Sequence, residues 1–304
     1  MNKKNIFITG ATGKIGTALV NALDPARYRI FVLCRTLSAF PGKEVCLIPG
    51  DLRQPHSYAG VFQHPLDLVI HLAAVTHARD VTLYDRVNAE ATQDLIRLCA
   101  AHQVKRFVLA STRAASTSGG AYGRSKLKAE RYLKESPLSW VILRMAEVYG
   151  FAADRGMDGL FRRIKNMPFV PVIGDGCYRV APVHQSDVVS VMVTLAEKES
   201  LKNVTYILAG PEDLTYHELL EKLFALHHVR KIKIHIPAAV ALLLLKLYAV
   251  FHKDGGAFVT DQIPRLLSQK DYDLTAAQRD LNFHPRTIES FLSGKIRSDN
   301  AGGR

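Results

Sequence analysis

Cysteine is scarce in this sequence: it occupies 4 of 304 positions, residues 34, 46, 99 and 177, and no two of them form a CxxC pair. This spacing excludes a disulfide framework and a cysteine-rich zinc site, and no metal is expected. The amino-terminal residues also lack the apolar core of a signal peptide. We therefore expect a protein of a reducing compartment, in the cytoplasm.

Long apolar runs are missing as well. The most apolar stretch, residues 236–251, is sixteen residues long and contains Lys246, whereas about 20 residues are needed to cross a bilayer. We expect a buried or half-buried helix that begins at Pro237. Contact of this helix with a membrane surface is the less favoured alternative, because the chain is basic and Lys246 could extend towards lipid headgroups.

Acidic residues are outnumbered, since 28 Asp and Glu stand against 40 Lys and Arg, which gives a formal net charge of +12. The basic residues are scattered among acids without a dense run or an RNA-binding motif, so no nucleic-acid partner is expected. The contents of 48% hydrophobic and 22% charged residues exclude a disordered or low-complexity chain. The length allows one large domain or two ordinary ones.

The first half of the chain alternates short β-branched or aromatic runs with helical patterns. Strands are predicted at residues 5–9, 28–33, 45–48, 66–71, 106–110 and 140–144, and helices at 14–23, 88–102 and 122–134. This alternation predicts an α/β fold, a doubly wound parallel sheet of the Rossmann-like kind with right-handed crossovers.

The pattern changes after Gly150. Further helices are predicted at 160–165, 187–197, 215–228 and 275–281, and strands at 204–208 and 232–236; Thr215 and Glu218 have the spacing of a capping box. We expect a dinucleotide-binding domain of residues 1–150 and 181–210. Residues 151–180 and 211–294 would form a smaller C-terminal α/β substrate-binding cap, and residues 295–304 a flexible tail.

A glycine-rich turn, TGATGKIG, follows the first predicted strand with the spacing GxxGxxG. Gly10 allows a tight turn, Gly13 allows close approach of a pyrophosphate, and Gly16 lets the helix pack against the strand. The helix N-terminus supplies amide donors and a positive dipole end to phosphates. Because the motif lies at the first strand-to-helix turn, it predicts dinucleotide binding.

The ends of the second and third strands bear on the choice of cofactor. Where a carboxylate would bind the ribose hydroxyls of NAD, the chain has Cys34 and Arg35. An arginine there can bind a 2′-phosphate, which favours NADP over NAD, although a solvated strand end is the alternative. Asp51 is placed to accept a hydrogen bond from the adenine amino group, and it could also cap a turn.

Tyr122 and Lys126 are four residues apart on a predicted helix and therefore lie on one face. A tyrosine is a poor base at neutral pH, but a nearby ammonium lowers its pKa. The pair can thus exchange a proton with a substrate hydroxyl while hydride moves to or from a nicotinamide, with the lysine also on the nicotinamide ribose. An exposed helix pair without function is the alternative.

Hydroxyl side chains lie at the carboxyl end of the preceding strand, where ligands collect in open α/β sheets. Ser111 or Thr112 can bond the substrate oxygen there, or can cap the next segment. Asn88 and His77 are further candidates for the same crevice, although an asparagine near a helix start is ordinarily an N-cap.

The sequence resembles the extended short-chain dehydrogenase/reductase family, of the NAD-dependent epimerase/dehydratase type. The matching segments follow the family's order: TGATGKIG (9–16), GDL (50–52), HLAA (71–74), AST (110–112), YGRSK (122–126), LRMAEVYG (143–150) and VHQSDVV (183–189). They span about two-thirds of the chain, and YGRSK and TGATGKIG are the most specific among them.

The resemblance implies a role for each matching residue. Thr112 takes the family's catalytic Ser/Thr position, with Ser111 as second choice; Tyr122 is the acid/base and Lys126 its partner. The loop after residue 144 would run along the nicotinamide, although Met145 stands where proline is usual. The other cofactor contacts that we expect are Thr12, Lys14, Ile15, Leu52, Leu72, Ala73, Ala74, Asn88, Ala110, Tyr122, Lys126, Met145 and Val148.

The implied activity is that of an NAD(P)-dependent oxidoreductase or epimerase on a secondary alcohol or ketone. HLAAVTHARD and VIGDGCYRVAPVHQSDVV resemble a bacterial branch that acts on nucleotide sugars, with substrate contacts from His77, Arg113 and Arg179; Arg179 could meet a diphosphate. The alternative is a sterol or other lipid alcohol, because the apolar helix and YDLTAAQRDLNFHP resemble 3β-hydroxysteroid dehydrogenase-like members. Arg113 and Ala114 replace the carboxylates of 4,6-dehydratases, so that reaction is not expected.

An alternative of another class is a catalytically idle NAD(P)-binding sensor or scaffold. Such relatives commonly lose the Tyr/Lys pair, whereas this chain keeps it, so a small-molecule substrate is expected. The resemblance also implies that helices 88–102 and 122–134 could form the four-helix contact of a homodimer.

Overall fold

The structure, a computed structural model, describes residues 3–36, 44–78, 80–151, 156–251 and 261–293. The chain forms two compact units, Met1–Arg144 with Val189–Tyr206 and Met145–Val188 with Ile207–Arg304. The predicted tail at 295–304 lies outside the described residues.

The first unit is built on a seven-stranded sheet. Its strands are β1 (Lys4–Thr9), β2 (Tyr28–Cys34), β3 (Cys46–Pro49), β4 (Leu68–His71), β5 (Arg106–Thr112), β6 (Ser139–Met145) and, much later in the chain, β11 (Val204–Leu208). Their order in the sheet is β11-β6-β5-β4-β1-β2-β3, and β1 pairs in parallel with both β2 and β4. The predicted doubly wound α/β fold is confirmed.

Helices pack against the sheet, whose strands are buried on both faces. The helices of this part are α1 (Lys14–Ala22), α2 (Ala91–Ala101), α3 (Gly120–Lys134) and α5 (Gln185–Glu197), and a π-helical turn, Tyr84–Glu90, leads into α2. One core cluster joins Phe7, Val69 and Phe107 of the strands to Leu95 of α2 and Leu133 of α3. This packing holds the carboxyl ends of β1, β4 and β5 beside one another.

The described residues of the second unit form three small two-stranded sheets. The remaining strands are β7 (Val148–Tyr149), β8 (Phe169–Ile173), β9 (Arg179–Val180), β10 (Val183–His184), β12 (Leu214–Thr215) and β13 (Ile232–Ile236). They pair as β7 with β10, β8 with β13 and β9 with β12. The remaining helices are α4 (Gly156–Arg163), α6 (Tyr216–Leu226), α7 (Ala238–Phe251), α8 (Gln262–Leu267) and α9 (Thr275–Leu281).

Several boundaries differ from the predicted ones. The helix predicted at 88–102 is a π-helical turn followed by α2, and the helix predicted at 122–134 begins at Gly120. Strand β8 was not predicted because Pro171 interrupts its pattern; proline is tolerated there because β8 pairs with one strand only. The capping box of Thr215 and Glu218 is present at the start of α6.

Helix α7 lies within the predicted apolar stretch. In the part of the chain that the structure describes, no helix combines the length and the apolar character needed to cross a membrane. Among the described side chains of α7, four large apolar ones are nevertheless strongly exposed: Val240 by 45%, Leu243 by 57%, Leu244 by 55% and Leu247 by 48%. Their spacing places them on one face of the helix.

Candidate active site

The glycine turn joins β1 to α1. Gly10 has φ of +72°, and a Cβ atom there would lie 2.5 Å from the backbone nitrogen of Ala73, so the position requires glycine. A Cβ at Gly16 would lie 2.3 Å from the carbonyl oxygen of Gly10. At the exposed Gly13 it would meet only that carbonyl oxygen, at 3.2 Å. The turn is therefore closed towards the protein and open at Gly13, which fits the approach of a pyrophosphate.

The neighbouring residues of the turn suit the same role. Thr12 and Lys14 are exposed and Ile15 is half-buried. Gly13 is the N-cap of α1 and supplies no side chain to its first amides. These amides can donate to an anion at the helix N-terminus.

Arg35 and Asp51, the two positions that bear on cofactor choice, differ in their bonding. Arg35 follows β2 and is exposed, while Leu52 is buried. The carboxylate of Asp51 accepts hydrogen bonds from Arg53, with Nη2 2.6 Å from Oδ2 and the backbone nitrogen 2.9 Å from Oδ1. The side-chain bond from Arg53 is the largest cause that lowers the pKa of Asp51. Asp51 is thus ionised. Its bond from the Arg53 amide is the turn cap predicted as the alternative role, whereas the pairing with the Arg53 side chain was not predicted.

A chain of buried hydrogen bonds holds the segment after β4. The Thr92 hydroxyl donates to the carbonyl oxygen of Asn88 at 2.9 Å, so it accepts from Nε2 of His71 at 2.8 Å. The hydroxyl of Thr9 then donates to Nδ1 of His71 at 2.6 Å and accepts from the amide of Ala73 at 3.4 Å. The bonding pattern thus specifies a neutral His71 with its proton on Nε2.

Burial, and secondarily the charge of Lys126, lowers the pKa of His71 to about 3. The ring therefore remains uncharged at neutral pH and acts as a fixed link between β1, β4 and the start of α2.

Asn88 has a structural role in this arrangement. It is fully buried; its Oδ1 accepts from the amide of Val75 at 2.8 Å, and its Nδ2 donates to the carbonyl of Val75 at 2.9 Å and to Ser125 at 3.1 Å. The side chain thus holds Val75, which follows the half-buried residues Leu72, Ala73 and Ala74, rather than capping a helix. Its predicted contact with the cofactor stays a prediction.

The tyrosine and the lysine lie on α3 as predicted. Tyr122 is half-buried in the first turn of α3, and its ring packs edge-on against that of Tyr84, with centroids 5.9 Å apart. Lys126, one turn later, is only 2% exposed. Burial lowers the pKa of the Lys126 ammonium to about 8, although the carboxylate of Glu130 opposes the shift. A buried ammonium one turn from a phenol can stabilise the phenolate.

The two hydroxyl residues at the end of β5 have different surroundings. Thr112 is half-buried, and its Oγ1 accepts from the amide of Ala114 at 3.2 Å. Ser111 is buried, and its hydroxyl donates to Oε1 of Glu130 at 2.6 Å. Ala110, before them, is also buried. The hydroxyl of Ser111 is therefore engaged inside the unit, while Thr112 is the more accessible of the two.

The predicted substrate contacts are dispersed. His77 is exposed and its Nδ1 is 2.7 Å from the hydroxyl of Thr76, whereas Arg113 is 4% exposed. Arg179 belongs to the second unit, and Met145 and Val148, which were predicted as cofactor contacts, are half-buried. The Arg179 guanidinium donates from Nε to Asp213 at 3.0 Å and has Nη1 3.9 Å from Glu218. Its positive charge is thus shared by two carboxylates.

Several residues of the site were not predicted from the sequence. Tyr84 accepts the amide of Ala78 at 3.1 Å and packs on Tyr122. Glu130 and Arg144 form a buried ion pair, 2.7 Å between Oε2 and Nη2. Glu130 could have been found from its spacing, because it stands one helical turn after Lys126. In the described ranges, no group of three or more His, Cys, Asp or Glu side chains is arranged to hold a metal ion.

A parallel sheet with a glycine turn at its first crossover, and with a tyrosine and a buried lysine one turn apart beyond a neighbouring strand, defines a dinucleotide-binding α/β enzyme. The profile of the NAD dependent epimerase/dehydratase family matches residues 6–209. The chain therefore belongs to this family of NAD-dependent enzymes, which confirms the resemblance and the prediction of an enzyme.

Several characterised proteins are similar to the chain. A ceramide reductase of Caulobacter vibrioides is 30% identical over 222 residues, which are 71% of this chain and 68% of that protein. A UDP-glucose 4-epimerase of Vibrio cholerae is 24% identical over 97% of both chains. Among solved structures, MoeE5 in complex with UDP-glucuronic acid and NAD has a TM-score of 0.72 at 24% identity, covering 95% of this chain and 96% of that one. This structural likeness shows the fold.

Proposed function

We propose that the protein transfers a hydride between a nicotinamide cofactor and the carbon of a secondary alcohol or ketone. The observation that carries this proposal is the position of Tyr122 one turn before the buried Lys126, beyond the strand that ends in Thr112. These are the groups needed to move a proton at a substrate oxygen.

Each residue has a defined task in the oxidation of an alcohol. The phenolate of Tyr122 takes the hydroxyl proton, and the hydroxyl of Thr112 donates a hydrogen bond to the substrate oxygen. The ammonium of Lys126 keeps the phenolate available because opposite charges stabilise each other in a buried site. The nicotinamide, when bound, supplies the acceptor for the hydride that leaves the carbon, and in reduction each transfer is reversed.

NADP is the cofactor that we favour within this proposal. The residue directly after β2 is the exposed Arg35 and not an acid, and an arginine there can pair with a 2′-phosphate. The solved relative named above holds NAD, so both cofactors belong in the assay.

A nucleotide sugar is the first candidate substrate. It is supported by the similarity to UDP-glucose 4-epimerase, which extends over 97% of both chains. Arg179 is a weaker ligand for a diphosphate than the sequence suggested, because Asp213 and Glu218 already share its charge. Epimerisation and net oxidation use the same hydride step and differ in whether the ketone is reduced again before release.

A lipid alcohol or its ketone is the second candidate. The apolar face of Val240, Leu243, Leu244 and Leu247 on α7 is exposed in the second unit, and a face of this kind suits contact with a membrane surface. The 30% identity with a ceramide reductase favours the same class.

The test is turnover of a panel of UDP-sugars and ceramide-type or sterol lipids, with nicotinamide absorbance and product analysis together. Tyr122→Phe should reduce turnover by at least about 10²-fold while cofactor affinity stays nearly unchanged, because only the acid/base is removed. Tyr132→Phe, a half-buried tyrosine of the same helix, is the matched control. Full activity of Tyr122→Phe would remove the assigned proton donor.

A further inference from the structure

The carboxylate of Glu130, whose residue is 1% exposed, is a buried charge of the first unit with several partners. Its Oε1 accepts from the hydroxyl of Ser111 at 2.6 Å and from Nε of Arg144 at 3.0 Å, and its Oε2 accepts from Nη2 of Arg144 at 2.7 Å. The bidentate pair has the fork geometry that fixes orientation as well as charge. Glu130 is therefore immobilised by β5 and β6 at once.

Lys126 is on the same face of α3, one turn before Glu130. The anionic Glu130 acts on its ammonium from one turn later on the same helix, and Tyr122 lies one turn before it. The neutral His71 of β4 is also near, since the charge of Lys126 lowers its pKa. Arg144, from β6, pairs with Glu130 and thereby reduces the negative charge that Glu130 presents to the ammonium. Glu130 is the one carboxylate that raises the pKa of Lys126 against the effect of burial.

We propose that Glu130 is a positioning residue of the active site. Its charge, divided between Arg144 and Lys126, keeps the lysine an ammonium. Its bond to Ser111 leaves Thr112 as the hydroxyl that bonds the substrate oxygen. This inference rests on the proposed function. A buried ion pair is itself weak evidence for stability, so the test must separate a structural role from an effect on the lysine.

The test is the alkaline limb of the pH profile of kcat/KM for alcohol oxidation, which reports loss of the Lys126 proton. Burial places that pKa at about 8 in the unaltered protein. Glu130→Gln keeps an oxygen for Ser111 but removes the charge, so the limb should move to lower pH by about one unit. Arg144→Gln removes the arginine charge from Glu130, so the carboxylate acts more strongly on Lys126 and the limb should move to higher pH; Arg144→Lys should restore it.

Glu135→Gln is the matched control, because Glu135 is an exposed carboxylate at the end of the same helix. It should not move the limb. Shifts of the same sign in Glu130→Gln and Arg144→Gln, or lower thermal stability without any shift, would mean that the ion pair is purely structural.

A second measurement works without turnover. Titration of the Lys126 ammonium by ¹⁵N NMR in the substrate-free full chain should give the same two opposite shifts. If the shifts are present and no substrate is oxidised, the proposed reaction is wrong while the positioning role stands; if they are absent from a protein that oxidises its substrate, the positioning role is wrong.

Discussion

At the scale of single residues, the chemistry of the site depends on buried polar groups that are neutral or paired. His71 is neutral between two threonine hydroxyls, and Asn88 has its amide fully used by Val75 and Ser125. These bonds leave no buried polar atom of the two side chains to rearrange, so the loop beside the glycine turn is preorganised.

His71 should make the folding stability depend on pH. Its pKa in the folded protein is about 3, below its ordinary 6.5, so from about pH 6.5 down to about 3 the unfolded chain takes up a proton that the folded chain refuses. The stabilising contribution is complete above that window and is lost at about 1.4 kcal/mol per pH unit as the pH falls through it. Urea unfolding should show that the free energy of unfolding changes less between pH 6 and pH 4.5 in His71→Gln than in the unaltered protein. The same change in the free energy of unfolding for both proteins would contradict a neutral His71.

Arg35 should determine the choice of cofactor. Arg35→Ala removes a charge-assisted bond to a 2′-phosphate, so the Kd of NADPH should rise roughly ten- to a hundredfold while that of NADH changes little. Arg29→Ala, an exposed arginine of the same strand, is the control. Parallel losses for both cofactors, measured by fluorescence titration, would place the 2′-phosphate elsewhere.

At the scale of elements, close backbone approach decides where the site can form. The carbonyl of Gly10 lies against the start of α1, and the π-helical turn Tyr84–Glu90 places Tyr84 on Tyr122 and Asn88 on the loop after β4. A π-helical turn costs regular hydrogen bonding and occurs often at functional sites.

Gly16→Ala should disrupt the glycine turn. Its Cβ would lie 2.3 Å from the Gly10 carbonyl oxygen, so the helix must move away from the strand. We expect a loss of about 1–3 kcal/mol in the free energy of unfolding together with weaker cofactor binding. Gly60→Ala is the control, since a Cβ there meets nothing within 4 Å, and it should change stability by less than about 0.5 kcal/mol. Chemical denaturation of both variants tests the pair.

At the scale of the whole molecule, a formal net charge of +12 attracts anionic surfaces. The segment between Glu221 and Asp254 contributes six lysines and arginines without any acid. It also contains the exposed apolar face of α7. Basic charge beside apolar area is what an anionic membrane surface binds.

The lipid candidate therefore predicts binding to vesicles. The full chain should sediment with phosphatidylglycerol-containing vesicles at 0.1 M salt and less at 0.5 M. Leu243→Gln with Leu244→Gln should lower the partition coefficient roughly tenfold. Val81→Gln, at a position 50% exposed in the first unit, should not. Absence of binding, or equal binding of all variants, would remove the membrane argument and leave the nucleotide sugar as the favoured substrate.

Local patterns in the sequence were sufficient to predict the elements that depend only on neighbouring residues. The glycine spacing, the four-residue interval from Tyr122 to Lys126, the capping box at Thr215 and the strand–helix alternation are each read within one turn or one strand. From these the fold class and the family follow, because a parallel sheet brings the carboxyl ends of its strands to one edge whatever lies between them.

Which polar residues face one another depends on how the strands and helices pack. The ion pair of Glu130 with Arg144, the bond from Ser111 to Glu130 and the chain from Thr9 through His71 to Thr92 join strands and helices far apart in sequence. Such contacts depend on strand order and helix packing, which no period of 2 or 3.6 residues encodes. The sequence therefore predicts which groups react, whereas the fold sets their charge, because burial and paired neighbours, not residue type, set the protonation of Lys126 and His71.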